Sequence, residues 1–321
     1  MFSKLAVISA LSTAVWAQSS AASASSVIPS GISSGCSSYM ETLNSNSDLL
    51  SCTQNLVQAT ANYGPGGNTT SSTSSTALSN SLSSICSSST ACDEAKIRTA
   101  LSSFYSSCSS ELTSNKNQDV QRAYDVLYTL IPMREAVCSK DDSGKWCATQ
   151  VHSSSAGVSV SASVALANNA VDTGNQLNAD DIQANLWVSS QSKRADAIYP
   201  NVTTFASNNL PFLGIQAGGS YAELCTTCTR NVLTAYIDFE SSTPYAPGLS
   251  NSLLLGGQTQ LYNTVQSTCG SSFLSGAVQA AGSLSDGSSD NNGSFKTLRF
   301  DFQSMIATIL GVATMSAFAF F

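Results

Sequence analysis

The sequence predicts a mostly α-helical protein, a disulfide-stapled helical bundle in two halves joined by a Ser-rich linker. Three observations carry this expectation. Apolar residues recur at the 3.6-residue period of a helix in both halves of the chain. The ten cysteines fall on or beside those apolar stripes, where a disulfide would tie one helix to its neighbour. Between the two sets lies "HSSSAGVSVSASVALANN", a Ser/Ala-rich tract without the apolar content of a core element.

The elements follow in order. Leu49, Cys52, Leu56 and Ala59 share one helical face, as do Ile97, Leu101, Phe104 and Cys108. Thr90 and Asp93 stand before that second run with capping-box spacing, and Glu94 adds negative charge to its first turn. Val120, Tyr124, Leu127 and Ile131 repeat the period, and Pro132 is expected to bend or end that helix. In the second half, Cys225, Cys228, Val232, Ala235 and Phe239 lie on one stripe. Leu261, Val265 and Thr268 form another, with Gly270 placed to cap it. Strict alternation is scarce; "GVSVSASVAL" alternates and reads as linker or a short strand.

The two ends of the chain predict its address. "MFSKLAVISALSTAVWAQSS" has a cationic start, a short apolar run and small residues before a polar stretch, the pattern of a secretory signal peptide cut between Ala17 and Gln18. At the other end, Asn292-Gly293-Ser294 is followed by a polar spacer and then by "MIATILGVATMSAFAFF", which carries no charge. Small residues, spacer and apolar tail make a GPI-attachment signal, with Asn292 as the attachment residue and Gly287, Ser288 or Ser289 as alternatives. The expected organisation is signal peptide 1–17, N-terminal Cys-rich helical region 18–152, linker 153–180, C-terminal helical region with its CxxC 181–283, spacer 284–292 and a removed propeptide 293–321. Loss of both ends leaves ten basic and nineteen acidic residues, a net charge of −9 against −7 for the whole chain. So acidic a surface argues against nucleic acid and anionic membrane as ligands, since both need clustered Lys or Arg.

Within a secreted chain, Cys36, Cys52, Cys86, Cys92, Cys108, Cys138, Cys147, Cys225, Cys228 and Cys269 read as five disulfides. Seven precede the linker and three follow it, so an odd number of bridges must cross it. Cys269 is expected to pair with Cys225 or Cys228, and the other of those two to reach Cys147 or Cys138. Sequons at Asn68 and Asn201 predict N-glycosylation.

The signal peptide, the GPI tail, a Cys-bearing helix pair in the first half, "LCTTCTRNVLTAYIDFE" and "QTQLYNTVQSTCGSSF" together resemble an uncharacterised fungal family of secreted, GPI-anchored surface proteins. The resemblance covers most of the mature chain. It implies a fungal surface protein and assigns no reaction.

Candidates for chemistry are few. "CTTC", Cys225 to Cys228, has redox spacing, yet no clear strand precedes it, and two cysteines on one helical face bonded to separate partners is the stronger reading. The one histidine, His152, sits at the edge of the Ser-rich tract with nothing to orient it as a catalytic base. Lys193-Arg194 is a dibasic pair of the kind secretory proteases cut. A glycosidase needs two carboxyl groups about 5–10 Å apart. Its candidates here are Asp141, Asp142, Asp180, Asp181, Glu223, Asp238 and Glu240. Of three Trp, Trp16 goes with the signal peptide and leaves Trp146 and Trp187 for stacking on a sugar. The pattern therefore favours a non-enzymatic, glycosylated, GPI-anchored protein of the outer plasma-membrane face or cell wall, with a structural, adhesion or display role. No cofactor or metal is expected, and the partners are the membrane through the GPI lipid and a wall glycan. The alternative is a carbohydrate-active enzyme working on wall glycan through an acidic pair.

Overall fold

The computed structural model describes residues 28–60, 75–150, 187–189 and 198–274. The signal peptide, Asn68, His152, the linker, Asp180, Asp181, Lys193-Arg194, Asn292 and the tail lie outside these residues. The described chain is mostly helical: α1 Ser34–Asn44, α2 Ser47–Thr60, α3 Ser75–Ile85, α4 Glu94–Ser109 and α5 Gln118–Cys138, then α6 Val202–Ser207, α7 Tyr221–Leu224, α8 Thr227–Ser242 and α9 Gln258–Cys269. Two three-residue strands, β1 Trp187–Ser189 and β2 Ile198–Pro200, pair antiparallel with Val188 opposite Tyr199.

α5 is the axis of the molecule. Buried side chains run from Val120 to Val137 around much of its circumference, as expected of a helix surrounded by others rather than lying on a surface. α4 packs on one side of it and α8 on another, so both halves share one apolar core. An aromatic chain crosses that core. Tyr39, Phe104, Tyr124, Tyr245, Tyr128 and Phe239 touch in succession with ring centroids 5.0–5.4 Å apart, mostly edge to face.

Three local expectations are corrected. α4 is capped by Asp93, whose carboxylate accepts the amides of Ala95 and Lys96 at 2.9 and 3.2 Å. Thr90 instead closes α3, donating its hydroxyl to the Ile85 carbonyl at 2.5 Å. Of the two effects expected of Pro132, ending α5 is ruled out, since the helix continues to Cys138; the apolar packing around its last two turns outweighs the hydrogen bond that proline forfeits. Cys225 and Cys228 do not share a helix. Cys225 closes α7, and Thr226 caps α8 by accepting the Thr229 amide at 3.1 Å.

The bridges bind these elements covalently. Cys36–Cys108 ties α1 to α4, Cys86–Cys138 ties the end of α3 to the end of α5, Cys225–Cys269 ties α7 to α9, and Cys147–Cys228 joins the two halves across the linker. Cys92 is also disulfide-bonded. The cross-half bridge meets the parity argument, and Gly270, with φ 88°, ends α9 as its position suggests.

Candidate functional site

Where α5 ends, the chain turns back on itself. Lys140 bridges Trp146 across the turn, and the Lys140 ammonium stands 4.0 Å from the Trp146 ring centroid. Asp141 organises the turn. Its Oδ1 accepts from the Ser143 amide, the Ser143 hydroxyl and the Lys145 amide at 2.8–2.9 Å, and its Oδ2 from Gln150 Nε2 at 2.7 Å. The Ser143 hydroxyl is foremost in holding the Asp141 carboxyl down at about 2, against the smaller effect of desolvation.

The start of α8 docks against this turn. The Thr227 hydroxyl donates to Asp142 Oδ2 at 2.6 Å, Asn231 Nδ2 donates to the Lys140 carbonyl at 2.9 Å, and the Cys147–Cys228 bridge makes the junction covalent. A cavity of about 340 Å³ opens there, with Leu213, Ile215, Val232 and the disulfide as its apolar walls and Asp141, Asp142, Ser143 and Gln150 at its polar side. Leu213 is fully buried yet holds a left-handed φ of 54°, a costly state for a residue with a branched side chain.

Among the described residues, the cavity gathers two of the carboxylates the sequence nominates, Asp141 and Asp142. Asp141 is ionised at any ordinary pH and its oxygens are occupied by four donors, so it has no proton to give and little capacity to take one. Its neighbour Asp142 is exposed, and among the described residues no Tyr or Trp lines the cavity to stack on a sugar. The other described candidates lie on their own elements. Glu223 completes the capping box of α7 by accepting from the Ser220 amide and hydroxyl at 2.7 and 2.9 Å. Asp238 faces outward on α8, and Glu240 turns toward α9 to accept from Gln258. The CTTC cysteines each hold a different partner, which makes the motif a pair of structural anchors. Among the described residues, no group of three or more His, Cys, Asp or Glu is placed to hold a metal. No described helix is long and apolar enough to cross a membrane.

The acid that sequence reasoning passes over is Asp125. It is fully buried on α5 and accepts from the Tyr245 hydroxyl, the Ser252 hydroxyl at 2.9 Å and the amides of Leu253 and Leu254 at 2.7 and 3.1 Å. Burial still pushes its carboxyl up to about 6. A signal for it exists, since Asp125 is the one charged residue in the run Ala123–Met133.

Fold and site together define a disulfide-stapled helical body with a cavity beside its cross-half bridge. No family model, no curated protein and no solved structure matches the chain.

Proposed function

We propose that this protein is a non-enzymatic, glycosylated, GPI-anchored component of the outer cell surface or cell wall, with a structural, adhesion or display role. The observation that carries the reading is the covalent lattice: bridges closing loops of 44 to 81 residues hold one core across both halves. Such a lattice suits an oxidising compartment and a body that must persist outside the cell. The signal peptide, the attachment site at Asn292 and the likeness to fungal anchored proteins belong to the same reading. So does glycosylation at Asn68 and Asn201. Asn201 caps α6 through Oδ1, which accepts the Thr204 amide at 3.4 Å, so an N-linked glycan on Nδ2 is compatible with the cap.

The alternative, an enzyme acting on wall glycan through Asp141 and Asp142, has the cavity in its favour. Against it, one member of that acidic pair, Asp141, is committed to its turn and holds no proton to give. Phosphatidylinositol phospholipase treatment of cells, followed by glycan-array binding and a glycan-hydrolysis assay on the released protein, tests both readings. Release without hydrolysis supports the proposal. Retention of the C-terminal tail in the mature protein, found by mass spectrometry, would overturn the anchor, and turnover lost in Asp142→Asn would favour the enzyme.

A further inference from the structure

The last turn of α8 and the first turn of α9 meet at a short seam around the half-buried carboxyl group of Glu240, with phenols beside it. Glu240 stands in the last turn of α8, where the helix carbonyls already concentrate negative charge. Its Oε1 accepts from Gln258 Nε2 in the first turn of α9. Gln258 is 1% exposed, its Nε2 lies 3.2 Å from the Tyr262 hydroxyl, and its own Oε1 is buried with no hydrogen-bond partner. The titratable groups that feel Glu240 are Tyr128 from α5, Tyr236 from α8 and Tyr262 from α9. Burial holds all three hydroxyls well above their ordinary range, so they stay neutral, and among the described residues no cation acts on them.

We propose that Glu240 is a pH-operated latch on the α8–α9 seam, closed while its carboxyl carries a proton and loosened when it ionises. A neutral acid suits this neutral pocket; an anion there has one amide donor to offset lost water and a helix end of its own sign beside it. Burial pushes the Glu240 carboxyl up to about 7, so the change falls at neutral pH rather than in acid. The sign follows from proton binding. From about pH 4.5 to 7 the unfolded or opened segment releases a proton that the closed seam retains, so closure weakens as pH rises through this window. The movement has a fixed end. Cys225–Cys269 pins the C-terminal turn of α9, whereas Gln258 and Leu261 at the other end are held by packing and hydrogen bonds alone. Ionisation therefore frees the N-terminal turns of α9 and leaves its last turn in place.

Amide hydrogen exchange on the full chain at pH 6.5 and 8.5, corrected for the intrinsic pH dependence of exchange, tests this. The range lies above the midpoint of Asp125, which clamps the neighbouring loop. The amides of Leu261 and Tyr262 should lose protection by about fourfold between the two pH values, while those of α1 and α4 hold theirs. In Glu240→Gln, which mimics the protonated acid, the loss should vanish. Equal protection at both values in the native protein, or the same loss in Glu240→Gln, would overturn the latch. A measurement without a variant stands beside it: a carbon-detected titration of glutamate carboxyls should find one with its midpoint near neutrality, and a set that all titrate below pH 5.5 sinks the proposal.

Discussion

At the scale of single residues, Asp125 carries the largest consequence. Four donors from residues 245–254 converge on its carboxylate, and a methyl group in its place would leave them unpaired in the core. Asp125→Ala should cost about 3 kcal/mol in urea-unfolding experiments, the range for a buried, hydrogen-bonded charge losing its partners. Its pH signature is separate. Because burial raises the folded carboxyl to about 6 from 3.8, the folded state keeps a proton that the unfolded state gives up. Stability from this group is full below 3.8 and declines as pH rises toward 6. Asp141 acts in the opposite sense: its contribution is present above 3.8 and is lost as pH falls through 2. Thermal midpoints measured across pH should therefore peak in mild acid, near pH 4, and fall on both sides. In Asp125→Ala the fall on the neutral side should be shallower. A midpoint that climbs steadily from pH 4 to 7 in the native protein would refute this account.

At the scale of elements, caps and close approaches set the boundaries. Asp93→Ala removes the acceptor for two amides of α4 and should cost about 1 kcal/mol, read from the same unfolding curves. Gly257, just before α9, has a different constraint. A Cβ there would meet Asn209 Oδ1 at 2.6 Å, and Asn209 cannot readily yield because its Nδ2 donates to the Ile215 carbonyl at 2.9 Å. Gly257→Ala should cost about 2 kcal/mol through that clash. Helices such as α4 and α5 are legible in the sequence because burial imposes a period on their apolar residues. Their ends are less so. Thr90 and Asp93 are both acceptable caps by chemistry, and only the Ile85 carbonyl within reach of Thr90 decides between them. The break between α7 and α8 is hidden for a similar reason: the apolar stripe runs on through Cys225 and Cys228 although the backbone does not.

For the whole molecule, the odd count of cysteines on either side of the linker makes a crossing bridge readable in the sequence itself. The shared core was less accessible to inspection. Nothing local in Tyr128 or Phe239 announces that their rings meet 5.1 Å apart across the two halves. The candidate cavity was equally hidden, since its walls come from residues 141–150, 213–215 and 226–232 and assemble only when α8 docks on the turn after α5. One outcome tests covalent and packed contacts together. A specific protease site inserted between 153 and 180 and then cut should leave one species in non-reducing denaturing gels and two after reduction. Under native conditions the reduced fragments should still co-elute on size exclusion, because α5 and α8 remain packed. Separation of the pieces without reductant would contradict the Cys147–Cys228 bridge.

The same bridges also determine how the body bears a pull. From Cys269 a continuous covalent route runs through the sulfurs to Cys225, along three peptide units to Cys228, through sulfur to Cys147, along nine more to Cys138 and through sulfur to Cys86. Stretched taut, that route spans roughly 60 Å, whereas the backbone between residues 86 and 269 would reach roughly 600 Å. Tension applied at the C-terminal end therefore meets a short, nearly inextensible strut. In single-molecule stretching from residues 86 and 269, an oxidised molecule should stiffen after a few nanometres, and a reduced one should pay out about ten times as much chain.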